Sequence, residues 1–348
     1  MSNCITAPIA TTSTVPLAWL KEGSGYSEAQ TFYLFPATGG MCYIQVAYSE
    51  LALSPLAQVT VRVATPTCTY FKSFNNSGSA HKVGSPDRAS STTNDYSVTR
   101  TAPGKITVAL KNKDVMLNVE LEVEEDKLVA VGDGKVMFAQ PGAAKPDGFL
   151  AQTFGLRAQA TGVIMAGGVA TDAAGAATIV HQHQGVAPHK IGAQWNFFTF
   201  ASPSVAVTTI SGTSPMSTYK GERYGTMAVH LRDQGSFVAN AVSVTFPTTN
   251  VDAATGYAVP TTFVLTATLN NGHTVEASGS LDFAAVNRVD VLGELPWLLR
   301  KAVQLLVSKP FVYQFVQPSS VVVKDAAGNV VAQETSAGMF EVTYTNPA

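Results

Sequence analysis

The sequence predicts an all-β chain of two successive antiparallel β-barrels with one short helix in the C-terminal half. Three observations predict it. Runs rich in β-branched and aromatic residues recur between turn signals spaced about 8–12 residues apart. Several of these runs alternate apolar and polar residues with a period of two, the signature of a strand with two different faces. The two halves of the chain also repeat one order of features, and a repeat this long means two domains rather than a solenoid array. A length of 348 residues suits two domains.

Residues 1–25 read as an irregular arm, broken by Pro8 and Pro16 and poor in helix formers across Thr11–Val15. The first barrel is assigned to residues 26–157. It opens with the polar-aromatic run Gln30–Phe35, which stops at Pro36 and the Gly39-Gly40 turn. Strands Met41–Ser49 and Leu56–Val63 follow. In the latter, Val59, Val61 and Val63 alternate with Thr60 and Arg62, which predicts one buried and one wet face. Asn75–Asn94 reads as a long polar loop. Lys105–Leu110 and Val115–Val123 form a hairpin through Asn112-Lys113-Asp114, and Glu120, Glu122, Glu124 and Glu125 supply its solvated face and turn. Val131–Phe138 is a further strand, and Gln140–Gly148 is the best linker candidate in the chain.

The second barrel is assigned to residues 158–348. It repeats the aromatic opening at Gln194–Phe200. Strands are expected at Val205–Ile210, Tyr224–Arg232, Phe237–Phe246, Thr262–Leu269 and Thr274–Phe283, the last two turned by Asn270-Asn271-Gly272. Pro296–Val307 carries apolar residues at helical spacing, with Pro296 suited to a first helical position and Pro310 closing the segment.

Composition narrows the function. Charged residues are only 13% against 46% hydrophobic, so the chain folds rather than staying disordered. A net charge of -2 offers no footprint for nucleic acid, and no basic cluster calls for anionic lipid. Cys4, Cys42 and Cys68 form no CxxC pair, so they read as reduced, partly buried thiols in a cytoplasmic protein. No signal-peptide pattern and no apolar window of about 20 residues is present.

Catalytic motifs are absent: the sequence holds no GxSxG elbow, no GxGxxG and no Walker loop. His181 and His183 share one strand face and His189 follows closely, but no carboxylate neighbours them in sequence. No metal and no cofactor is expected. The candidate ligand-binding residues are the amides Gln30, Gln45, Gln194 and Asn196, set among Phe32, Tyr33, Tyr43, Trp195 and Phe197, with His189 beside them. Uncharged amides among aromatics suit a neutral head bearing an amide and hydroxyls, because such a head must be hydrogen-bonded when buried. The alternative is that the aromatics are ordinary barrel core and the amides satisfy the barrel ends.

Several of these segments resemble, in order and spacing, the survival factor 1 family first known from fungi. They are Glu28–Phe35, Gly40–Ser49, Pro188-His189, Gln194–Phe197 and Lys309–Gln314. The resemblance implies a pair of lipocalin-like barrels. It also implies a cytosolic protein that visits endoplasmic reticulum and Golgi surfaces, binds ceramide, moves it between membranes and supports survival of oxidative stress. Three features depart from the family pattern. Residues 1–25 show no amphipathic helix, Phe154-Gly155-Leu156-Arg157 stands for an aromatic-Trp-Pro-Arg run, and His189-Lys190 stands for a doubled histidine. Fungal Diels–Alderases and carotenoid hydratases share the two-barrel architecture, so a cyclase or isomerase working on a flexible apolar substrate is the competing reading. A scaffold with filled barrels is the third.

Overall fold

The computed structural model describes residues 4–20, 26–50, 55–84, 87–124, 128–293 and 309–345. The helix expected over Pro296–Val307 lies outside them. Nearly everything described is strand. The first sheet holds β1 (Ile5–Thr6), β2 (Thr12–Thr14), β3 (Ser27–Pro36), β4 (Met41–Ser49), β5 (Leu56–Ala64), β6 (Thr69–Ser77), β7 (Lys82–Val83) and β8 (Ser91–Thr92). It continues through β9 (Tyr96–Ala102), β10 (Lys105–Lys111), β11 (Val115–Val123), β12 (Leu128–Val131), β13 (Lys135–Phe138), β14 (Gly148–Ala166), β15 (Val169–Asp172) and β16 (Gly175–Gln184).

A short helix, α1 (Pro188–Ile191), leads into the second sheet. That sheet holds β17 (Gln194–Ala201), β18 (Val205–Thr213), β19 (Arg223–Leu231), β20 (Gly235–Ala239) and β21 (Ser243–Thr245), with α2 (Met216–Tyr219) between β18 and β19. A separate hairpin pairs β22 (Thr249–Val251) with β23 (Ala258–Pro260). The second sheet resumes with β24 (Thr262–Thr268), β25 (Thr274–Ser280), β26 (Asn287–Asp290), β27 (Phe311–Lys324) and β28 (Val330–Tyr344).

Both sheets are antiparallel and curl around one face. In the first, the path β5-β4-β3-β16-β14-β11-β10 encloses a core that includes Phe32, Ile44, Val61, Val119 and Ile179. In the second, β17 pairs with both β18 and β28, and Phe198, Phe200, Phe263, Phe315 and Phe340 fill the interior. Both hairpins read from sequence form in register: Leu110 faces Leu117, and Leu265 faces Ala277.

Four expectations are corrected. The boundary at residues 157 and 158 falls inside β14, which runs unbroken through it. The two sheets divide between Gln184 and Gln194. The linker candidate Gln140–Gly148 instead joins β13 to β14 as a hairpin, which its Pro-Gly content serves equally well. The N-terminal arm is ordered over its described residues: β1 pairs with β13, β2 with β12, and Trp19 is buried over the first core. Its extended, Thr-rich run offers the backbone groups that those edges need. The polar stretch after Asn75 carries the end of β6 and two short strands, and it buries His81 and Ser91.

The sheets dock face to face through a third apolar cluster, with Tyr33, Phe35, Met41, Tyr43, Phe154 and Leu156 meeting Phe197, Ala206, Ile210 and Met339. Here lies the cost of reading alternation alone. The face of β5 expected to be wet, Thr60 and Arg62, is 5% exposed at both residues because the second sheet covers it. Within this seam the hydroxyls of Thr178, Thr199 and Thr208 form a buried ladder, 2.8 Å and 3.0 Å apart. Open space remains on either side of it.

Candidate functional site

On one side of the threonine ladder the seam opens into a cavity of about 570 Å³, within the size range of small-molecule sites. Strand alternation decides which residues reach it. On β3, Glu28, Gln30, Phe32 and Leu34 face the first core, so Thr31 and Tyr33 face the seam. On β4, Tyr43 and Gln45 face the seam by the same rule, and on β17 Trp195 and Phe197 do. Tyr33 stacks on Phe197 across the two sheets at 5.0 Å between ring centres. Gln45 Nε2 donates to Thr31 Oγ1 at 3.0 Å, and the Trp195 indole N–H donates to the Tyr224 hydroxyl.

A polar network is set into the aromatic wall, and Gln314 on β27 is its hub. Its amide oxygen accepts from Arg62 Nη1 at 3.0 Å and from Asn287 Nδ2 at 2.9 Å. Its amide nitrogen donates to Glu341 Oε2 at 2.8 Å and to the Tyr43 hydroxyl at 3.1 Å. Arg62 Nη2 also reaches the Gln314 carbonyl at 3.3 Å, and Thr343 Oγ1 donates to Glu341 Oε1 at 3.4 Å. Desolvation dominates the protonation of these groups. It raises the Glu341 carboxyl above its ordinary range, although Gln314 and Arg62 pull the other way. It also raises the Tyr33 and Tyr43 hydroxyls and lowers the Arg62 guanidinium. The network therefore presents Tyr43, Gln314 and Glu341 to the cavity with Arg62 behind them, and the lining adds Lys72, Asp290 and further amides and hydroxyls to its aromatic residues.

Of the ten residues singled out from sequence, six line this cavity: Tyr33, Tyr43, Gln45, Trp195, Asn196 and Phe197. The other four do not. Phe32 belongs to the first core. Gln30 points the same way, fully buried, and its amide has no hydrogen-bond partner among the described residues. Gln194 turns its amide onto Asn196 Oδ1 at 3.0 Å instead of into the cavity. His189 sits on α1, half-buried, with its imidazole pKa lowered by burial and then by Lys190. His181 and His183 do share a face, and it is the inward one: His181 Nε2 meets Glu28 Oε1 at 2.7 Å.

Arg62, Asn287, Gln314 and Glu341 were not foreseen in the site. Gln314 stands at the end of one of the quoted segments, and a charged residue within an apolar strand of so uncharged a chain is itself a signal. Both were legible only as isolated polar positions, because the seam that unites them is tertiary.

The sequence model of the Svf1 family matches residues 5–346. The chain is 26% identical to the ceramide-binding protein svf-1 of Neurospora crassa, over 97% of this chain and 91% of that one. Among solved structures it resembles an AttH-type protein from Nitrosomonas europaea, with a TM-score of 0.64 at 14% identity, covering 98% of this chain and all of the other. It also resembles kievitone hydratase from Nectria haematococca, with a TM-score of 0.58 at 12% identity and 99% coverage of both. These structural likenesses establish a shared two-sheet fold.

Proposed function

Since the chain belongs to the Svf1 family, we propose that it binds a hydrophobic lipid, ceramide or a related sphingolipid, in the cavity between its two sheets. The observation that carries this reading is the hydrogen-bonded set of Tyr43, Gln314 and Glu341 in a wall rich in aromatic residues, with Arg62 bonded to Gln314 behind it. A neutral head with an amide and hydroxyls needs donors and acceptors without net charge, since an unpaired buried polar group costs about 1–3 kcal/mol. Apolar chains contribute about 0.8 kcal/mol for each buried methylene, so the walls supply affinity and the network supplies selection. The proposal extends to carrying the lipid between intracellular membranes through transient surface contact from the cytoplasm, in support of survival under oxidative stress. No described helix is long and apolar enough to cross a membrane.

Native mass spectrometry of the protein purified from eukaryotic cells, with lipidomics of what it releases, tests the reading. A stoichiometric sphingolipid that Trp195→Ala no longer retains is expected. A folded protein that arrives empty and refuses added ceramide overturns it.

One observation favours a second reading. The desolvated Glu341 carboxyl lies one amide away from the Tyr43 hydroxyl inside the cavity, an arrangement that can hold a proton near a folded substrate. A cyclase or isomerase would use it, and a cavity lipid recovered with unchanged mass and unchanged double bonds excludes that use.

A further inference from the structure

The seam holds a second cavity on the far side of the threonine ladder. Its position follows from the strands: β16 passes from Val180 at the first cavity through Thr178 to Ala176, and β17 from Phe197 through Thr199 to Ala201. The second cavity measures about 640 Å³. The loop Pro36–Gly40 and the turn Ala201–Val205 form part of its wall, and Phe35, Leu156, Pro203, Ala206 and Pro318 make much of it apolar. Gly40 is obligatory there, since its φ is +81° and a Cβ would sit 2.3 Å from the Ala64 carbonyl oxygen.

Among the described residues that line it, the charged groups have one sign: Arg157, Arg232 and His230 face it, while Glu124 and Glu334 stand behind Arg157 and Ser204. Arg157 owes its place to a bulge in β14. Gly155 pairs with Ile179 but Ala158 pairs with Ala177, so Leu156 and Arg157 together oppose the single residue Thr178. Before the bulge Phe154 and Leu156 face the second sheet, and after it Ala158 and Ala160 face the first core. The extra residue thus gives the first sheet two consecutive side chains on the seam side, Leu156 and Arg157. Bulges commonly re-aim a side chain next to a functional site.

Arg157 is then held from both sheets. Its Nε donates to Glu124 Oε1 at 2.7 Å, outside the cavity wall. Its Nη1 lies 3.4 Å from His230 Nε2 on β19. The other ring nitrogen of His230, Nδ1, lies 3.1 Å from Ser236 Oγ, which places the imidazole beside the guanidinium. The guanidinium is thus held from two sides, with its Nη2 edge not used by either partner. Arg232 stands at the exposed rim.

We propose that this second cavity binds an acidic amphiphile, an anionic oxygen head on one apolar chain, with Arg157 and Arg232 meeting the head. A planar guanidinium recognises carboxylate and phosphate oxygens through paired hydrogen bonds, and a cleft whose lining carries only cationic side chains concentrates such anions. This ligand differs from the neutral lipid assigned to the first cavity, whose wall carries groups of both signs, Lys72 with Asp290 and Glu341.

Calorimetric titration of the full chain with decanoate, decyl phosphate and decanol tests the assignment. One equivalent of decanoate or decyl phosphate should bind at least tenfold more tightly than decanol, and the tighter of the two identifies the head. Arg157→Gln and Arg232→Gln should each weaken the acid about tenfold and leave decanol unchanged. Trp195→Ala, on the other side of the threonine ladder, should leave the acid unaffected while it weakens ceramide. Equal affinity for acid and alcohol overturns the proposal. So does undiminished acid binding in Arg232→Gln, an exposed position that decides the matter even if Arg157→Gln fails to fold. Acid binding lost in Trp195→Ala or displaced by ceramide would move the acid to the first cavity and overturn the second site, while leaving the lipid reading intact.

Discussion

The sheet interiors and the seam between the sheets draw on the same residue types, yet they are built to different ends. Phe198, Phe200, Phe263, Phe315 and Phe340 pack into the second interior, and each is at most 1% exposed. Tyr33, Tyr43, Trp195 and Phe197 are equally large but surround open space, and they share it with Arg62, Gln314 and Glu341. One strand can serve both ends: β3 gives Phe32 to the interior and Tyr33 to the seam. In this fold, then, both seam cavities lie where two outer faces meet, and the sheets supply their walls. Preorganised walls reduce the ordering cost of binding.

The contrast can be broken most forcibly from the interior. Phe198→Ala should lower unfolding free energy by about 3–5 kcal/mol, the usual range for a buried Phe left as a cavity. Urea denaturation measures it, and a loss below about 1 kcal/mol would mean that the interior is not packed as described. Next comes the network. Arg62→Met strips the Gln314 oxygen of a charged donor and leaves Glu341 without its cation, so a loss of about 2–3 kcal/mol is expected. Adding Glu341→Gln to Arg62→Met should recover part of that loss in a double-mutant cycle, whereas purely additive effects would mean the two groups do not communicate.

Binding provides the third test. Trp195→Ala should weaken lipid binding about tenfold, or about 1.4 kcal/mol, with a smaller change in Tm than Phe198→Ala causes. Equal effects on both quantities would assign Trp195 to packing alone. The smallest effect is in pH. The folded-state pKa of Glu341 lies above its ordinary 4.5, mainly through desolvation. The native chain therefore holds that proton more tightly than the unfolded chain does. The stability this confers is complete below about pH 4.5 and is lost as pH rises through the folded value. The stability of the native sequence relative to Glu341→Gln should accordingly fall with rising pH. A flat difference between pH 4 and 8, read from paired denaturation curves, would contradict it.

Sequence patterning carried the all-β class and both hairpins, because each rests on local alternation or local turn chemistry, and it singled out six of the residues that line the first cavity. What it missed is tertiary. Alternation separates the two faces of β5 but not water from a partner sheet, so Arg62 reads as solvated although it is buried. On β3 the same ambiguity put Gln30 and Phe32 in the site along with Tyr33. The bulge at Leu156 and Arg157 left no turn signal, since a single extra residue changes which face later side chains take without changing composition. The arm hid for another reason: short edge strands such as β1 and β2 are defined by the edges they meet rather than by their own propensity.

That arm also sets an order of assembly. The amides of Cys4 and Ile5 both donate to the carboxylate of Glu222, more than half the chain away, and Asn240 donates to the Pro8 carbonyl. The segment Cys4–Pro8, already paired through β1 with β13 in its own sheet, therefore completes its contacts only once Glu222 and the turn after β20 are in place. Contacts of such long range slow folding, because loop closure precedes their reward. Loss of the Glu222 carboxylate would consequently bear on the joining of the two sheets rather than on the hairpins within either one.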